Sequence, residues 1–248
     1  MKKVTVLAAA AAFALTATAP AFAGPWFAKG SYFAGVAGNW NSDVGNEMFD
    51  DGTNGDAASG DGIHTRVVTT DQAAGKYEWK AALDDWSVSH PGSSNQTVYV
   101  NSLGEDVTMT LDTNVYADGW IPDTNIAWSS NPWPTGSTPE VIGGAPAIGD
   151  WAAGVSAVLV GDIWSVSATF ATAGTYEYKW RANGNWDDFV FGNDGAATFG
   201  GNLIVDVLND GDTMTFELDQ STGRVRVMQE NTVSVDETSW TDAKALYR

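Results

Sequence analysis

The chain matches itself. "GNW" at Gly38–Trp40 answers "GDW" at Gly149–Trp151, and "GKYEWK" at Gly75–Lys80 answers "GTYEYK" at Gly174–Lys179, 99 residues later. Trp86 answers Trp186 at a spacing of 100. "NQTVYV" from Asn95 and "GEDVTMTLD" from Gly104 answer "NLIVDV" from Asn202 and "GDTMTFELD" from Gly211, both at 107. A doubled pattern of this length restricts the fold to two copies of one unit in tandem. Spacings that change in steps mark insertions between fixed strands. Repeat 1 carries twelve extra residues ahead of Lys80 (111 against 99), within the acidic "SDVGNEMFDDGTNGDAASGDG". Repeat 2 carries seven extra after Trp186 (107 against 100), within "DDFVFGNDGAATFGG". Both insertions are rich in Gly, Asp and Asn, as surface loops are.

Inside each copy the periodic stretches alternate. In "YEYKW", Tyr176, Tyr178 and Trp180 share one face while Glu177 and Lys179 share the other. "IWSVSATF", "NLIVDV" and "DTMTFELD" behave alike, with "GRVRV" as hairpin partner of the last. Thr, Val and aromatic residues dominate these runs, which favours strands. The expectation is an all-β protein of two tandem immunoglobulin-like antiparallel β-sandwich domains, at 28–115 and 138–228. Between them lies a connector, 116–137, holding Trp120, Trp128 and Trp133; a polar tail, 229–248, follows. Each copy is large enough for one modest core. Trp79, Trp164 and Trp180 fall on the core side of their strands.

Residues 1–23 have the layout of a signal peptide: Met1-Lys2-Lys3, an apolar Ala-rich run from Val4 to Thr18, then the small-x-small site Ala21-Phe22-Ala23. The run is short of the ~20 residues that span a bilayer. The mature chain is expected to begin at Gly24, exported to the periplasm, the medium or the cell surface, with no membrane insertion. It then keeps ten basic residues against 31 acidic ones. Such a surface repels nucleic acid and anionic lipid but not a neutral polymer. There is no cysteine, which excludes disulfides and thiolate metal sites, and His64 and His90 stand apart in the sequence.

The doubled order Trp, Lys, Trp, Asn carries the functional reading. Pyranose rings have apolar C–H faces that stack on indoles, and hydroxyls that need donors and acceptors. Trp with Lys and Asn on a sheet surface supplies both. The order resembles the glycogen-binding module family of AMP-activated kinase β subunits and branching enzymes. "YEYK" followed by a tryptophan is also similar to the starch-binding modules of bacterial amylopullulanases. The resemblance implies an α-glucan ligand gripped in repeat 2 by Trp151, Lys179, Trp186 and Asn202, and in repeat 1 by Trp40, Lys80, Trp86 and Asn95. Repeat 1 departs from the pattern, with one residue fewer between Lys80 and Trp86 and a shorter loop before Asn95. Trp40 and Trp151 serve equally well as strand-end packing residues. The tandem secreted layout is similar to outer-surface starch-binding lipoproteins, without their lipid-bearing cysteine.

No enzyme is expected. Glycoside hydrolysis needs two opposed carboxylates across a cleft, and no Ser/His/Asp arrangement, phosphate loop or metal triad stands out. A separate glucan-active enzyme is the partner that such modules imply. No cofactor is expected. The acidic loop of Asp43, Glu47, Asp50, Asp51, Asp56 and Asp61 has the oxygen density of a calcium site without EF-hand spacing; its other reading is a solvated loop. The rival function is a surface assembly or protein-interaction module, self-associating through Trp120, Trp128 and Trp133.

Overall fold

The computed structural model describes residues 24–32, 40–42, 45–191 and 201–230. The proposed signal peptide, Asp43 and residues 231–248 lie outside these. Among the described residues the chain is all-β, with a single 3-10 turn at Pro146–Ile148 and no α-helix. Four antiparallel sheets form two sandwich-like bodies.

The first body pairs β2 (Glu47–Met48), β1 (Trp26–Gly30), β4 (Gly75–Leu83), β5 (Ser89–His90) and β6 (Gln96–Val100) in one sheet. The facing sheet is β3 (Ile63–Thr69), β7 (Asp106–Asp112) and β8 (Ile126–Ser129). In the second body, β9 (Pro139–Gly143), β10 (Val155–Ser156), β13 (Gly174–Ala182), β14 (Asn185–Phe191) and β15 (Leu203–Val207) form one sheet. The other holds β11 (Val158–Val160), β12 (Ile163–Thr169), β16 (Thr213–Asp219) and β17 (Val225–Glu230).

The repeat is visible in the pairing. β4 pairs with β1 and β6 as β13 pairs with β9 and β15, and β3–β7 corresponds to β12–β16. Alternation fills the cores as expected. Trp79 and Trp180 are fully buried, and Tyr178 meets Phe216 edge-on at 4.9 Å. Trp164 packs half-buried against the second core, and its indole N–H donates to Gln220 Oε1 at 3.1 Å.

The stretch 116–137 is more than a connector. It supplies β8, which closes the first body against β7 as β17 closes the second against β16. The loop that precedes β8 docks on the second body. Ile121 and Val225 exchange backbone hydrogen bonds of 2.8 Å, and Arg224 grips Asp118 with two hydrogen bonds of 2.7 and 2.8 Å. Arg226 stacks on Trp120 at 4.3 Å and Arg224 on Tyr116 at 4.4 Å. Trp128 belongs to the second body's core and donates its indole N–H to the Gln220 carbonyl at 2.9 Å. The two bodies are thereby packed against one another, not strung on a linker.

Candidate functional site: a duplicated tryptophan pair

Both repeats build the same aromatic pair. Trp40 and Trp86 have ring centroids 6.3 Å apart with planes inclined 37°; Trp151 and Trp186 have centroids 6.3 Å apart inclined 36°. Trp86 is 44% exposed, and the other three indoles are half-buried. The four residues named from the repeat thus meet two by two at the surface.

The backbone places them by one shared device. The Trp40 N–H donates to the Gly30 carbonyl at 3.4 Å, and the Trp151 N–H to the Gly143 carbonyl at 2.9 Å. These glycines end corresponding strands, opposite Trp79 and Tyr178. A Cβ on either would stand 2.4 Å from a backbone oxygen of the central strand, Glu78 or Glu177. Only glycine allows the approach that brings the tryptophan in.

Three of the four tryptophans have a left-handed backbone: φ is 62° at Trp40, 61° at Trp86 and 60° at Trp151. For a bulky side chain this conformation is an outlier costing on the order of 1–3 kcal/mol. Trp186 escapes it. It follows the two-residue turn Asn183-Gly184, with φ of 54° and 68°, the type I′ hairpin that matches strand twist. Repeat 1 has no Asn-Gly there. Its turn runs from Leu83 to Val88, with Trp86 itself in the left-handed position. This difference in turn accounts for the one-residue difference in spacing from Lys80 and Lys179.

A cation backs one indole of each pair. Arg181 lies over the Trp186 ring at 4.6 Å, and Lys29 over Trp86 at 4.3 Å. Arg181 is buried and paired with Glu140. Lys29 is fully buried and donates to the Leu83 and Asp84 carbonyls at 2.8 and 2.9 Å. Burial holds the Lys29 ammonium below its ordinary pKa, opposed by Asp84 and Asp85. The two cations come from different register positions. Lys29 occupies the place of Ile142, and Arg181 the place of Ala82.

The predicted lysines share the sheet face of these cations: Lys80 is the register partner of Lys29, and Lys179 stands two residues before Arg181 in β13. Lys179 is buried in β13 beside Ile142, and Lys80 donates to the Gly92 carbonyl at 3.2 Å. The predicted asparagines are equivalent to each other. Asn95 donates to Glu78 at 2.8 Å and Asn202 to Glu177 at 2.9 Å, on the sheet face that also bears the lysines. Lys29, Arg181 and Glu140 escaped the sequence reading. One signal was present: Lys29 is the lone charge in "WFAKG", an otherwise apolar strand.

No protein-family model and no curated protein matches this chain.

In the acidic loop, Asp50, Asp56 and Asp61 bring carboxylate oxygens within 4.8 Å of one another. Backbone N–H groups already engage them: Gly60, Asp61 and Gly62 donate to Asp50, Gly52 to Asp56, and Ile63 to Asp61. Their visible work is to fold the loop.

Proposed function

We propose that this is an exported, non-catalytic carbohydrate-binding protein whose two immunoglobulin-like modules, of the glycogen- and starch-binding kind, each hold an α-glucan on a tryptophan pair. The observation that carries this reading is the duplication itself. Two copies differ in turn type, in the source of the cation and in loop length, yet keep the same inclined indoles at the surface. Packing alone gives no reason to keep two partly exposed indoles together in each copy, with three of the four at strained backbone positions. A ligand with flat apolar faces does.

In this mechanism the pairs Trp151–Trp186 and Trp40–Trp86 stack on glucose faces. The Asn202–Glu177 and Asn95–Glu78 couples, together with Lys80 and Lys179 on the same sheet face, address hydroxyls. A sugar face covering ~100 Å² of indole gains roughly 2–3 kcal/mol gross before ordering costs, so each site is weak alone. Two sites on one packed chain gain avidity on a polymer. A neutral polysaccharide also tolerates the anionic surface. A separate enzyme acting on the same glucan is the partner this function implies.

One observation favours the second reading, an assembly protein. The edge strand β11 exposes Val158, Leu159 and Val160 at 65, 40 and 72%. Trp120 and Trp128, which that reading drew on, are instead engaged in joining the two bodies. Sedimentation with granular starch, with cellulose as control, separates the two. Depletion by starch alone is expected. Depletion by neither, with oligomers in light scattering, replaces the glucan reading with assembly.

A further inference from the structure

Between the two bodies lies a cleft of about 490 Å³ to which none of the four paired tryptophans contributes. Thr108 and Ser130 from the first body and Asp162 and Gln220 from the second line it, together with Trp128 and Trp133. Domain junctions are preferred places for ligand sites, and the volume falls in the usual range of roughly 300–1,000 Å³.

The aromatic part of the lining is rigid. Trp128 meets Trp133 edge-on at 6.1 Å and is anchored through its N–H to Gln220. The Gln220 amide is oriented at both ends. Its oxygen accepts from Trp164 at 3.1 Å, and its nitrogen donates to Asp162 at 3.3 Å. Ser130 Oγ accepts from the Thr108 N–H at 3.1 Å, while the Thr108 hydroxyl makes no hydrogen bond to any described residue.

The chemistry of this lining is selective. Hydroxyls and amides dominate, with one carboxylate and no lysine or arginine among the described lining residues. An anion finds no cationic partner among the described lining residues and meets the field of an acidic chain. A wholly apolar molecule would leave the hydroxyls and amides unpaired. A neutral polyol with one apolar face satisfies both the indoles and the polar groups.

We propose that this cleft is a third binding site, for a short neutral saccharide, with Trp133 as platform and Thr108, Ser130 and Asp162 as hydroxyl partners. The ligand class follows from the lining. The choice of an α-linked probe rests on the function proposed above.

The test is calorimetric titration of maltotetraose and cellotetraose into the mature protein and into the double variant Trp86→Ala/Trp186→Ala, which lacks both surface pairs. The double variant is expected to keep one equivalent of binding to at least one probe. Trp133→Ala should abolish that binding, and Thr108→Val should weaken it roughly three- to tenfold. Trp133 also packs on the second core, so the shape-conserving Thr108→Val carries the test if Trp133→Ala unfolds. Binding to the parent but not to the double variant overturns the cleft and leaves the surface pairs standing. Binding indifferent to both cleft substitutions also overturns it. Binding equal in parent and double variant, yet weakened by Thr108→Val, establishes the cleft and removes the surface pairs. A parent that binds neither probe overturns the cleft; if it also ignores glycogen, the surface pairs fall with it.

Discussion

The Arg181 guanidinium lies 4.6 Å from the Trp186 ring while it is paired with the buried Glu140. One side chain thus backs the half-buried indole and neutralises an interior carboxylate. Arg181→Met removes both supports and leaves Glu140 unpaired. We expect a loss of about 3–5 kcal/mol in urea unfolding, much of it recovered when Glu140→Gln is added. Equal losses in the single and double variants would show that the ion pair does not carry the effect.

Trp86 is exposed and left-handed at φ 61°. Replacement by Gly and by Ala removes the same indole, but only Gly tolerates that backbone without penalty. Trp86→Gly should be more stable than Trp86→Ala by about 1 kcal/mol, read by thermal unfolding. The reverse order would mean that the strained conformation is relieved without cost.

Trp128 ties the first body's last strand to the second body's core. Trp128→Ala should cost about 3–5 kcal/mol. It should also split a single cooperative urea transition of the parent into two. One transition in both proteins would contradict the coupling of the bodies through this residue.

His64 and His90 flank Trp26, at 6.4 and 5.4 Å between rings. Burial holds both imidazoles below their ordinary pKa. Lys80 adds to the effect at His90, while Asp50, Asp56 and Asp61 oppose it at His64. The unfolded chain therefore takes up protons below about pH 6.5 that the folded chain refuses. The histidines' contribution is whole above that pH and falls as pH drops, by at most about 1.4 kcal/mol per pH unit for each. Urea unfolding between about pH 7.5 and 5.5 should show this slope, and His64→Gln/His90→Gln should flatten it. An unchanged slope in the double variant would assign it to other groups.

The strands were legible wherever alternation and repetition coincide. Tyr178 and Trp180 on one face and Lys179 on the other followed from "YEYKW" alone. The four tryptophans were legible as two parallel sets of positions, but their meeting as Trp40–Trp86 and Trp151–Trp186 was not, because the partners in each pair lie far apart in sequence. The supporting cations were not. A lysine from β1 in one copy and an arginine from β13 in the other leave no repeat signal, although each ends under an equivalent indole. The lysines that the repeat does mark are Lys80 and Lys179. Strand β8 was hidden for another reason. Its four residues, "IAWS", follow a long insertion and lie among Pro, Asn and Gly turn signals that read as a connector.

The central claim is that the paired indoles hold a glucan. Native electrophoresis through gels with and without glycogen tests it most directly, using the mature protein, Trp86→Ala, Trp186→Ala and the double variant. The account predicts clear retardation of the parent, weaker retardation in each single variant and the weakest in the double. Retardation that survives undiminished in the double variant, or a parent that glycogen does not slow at all, would contradict it.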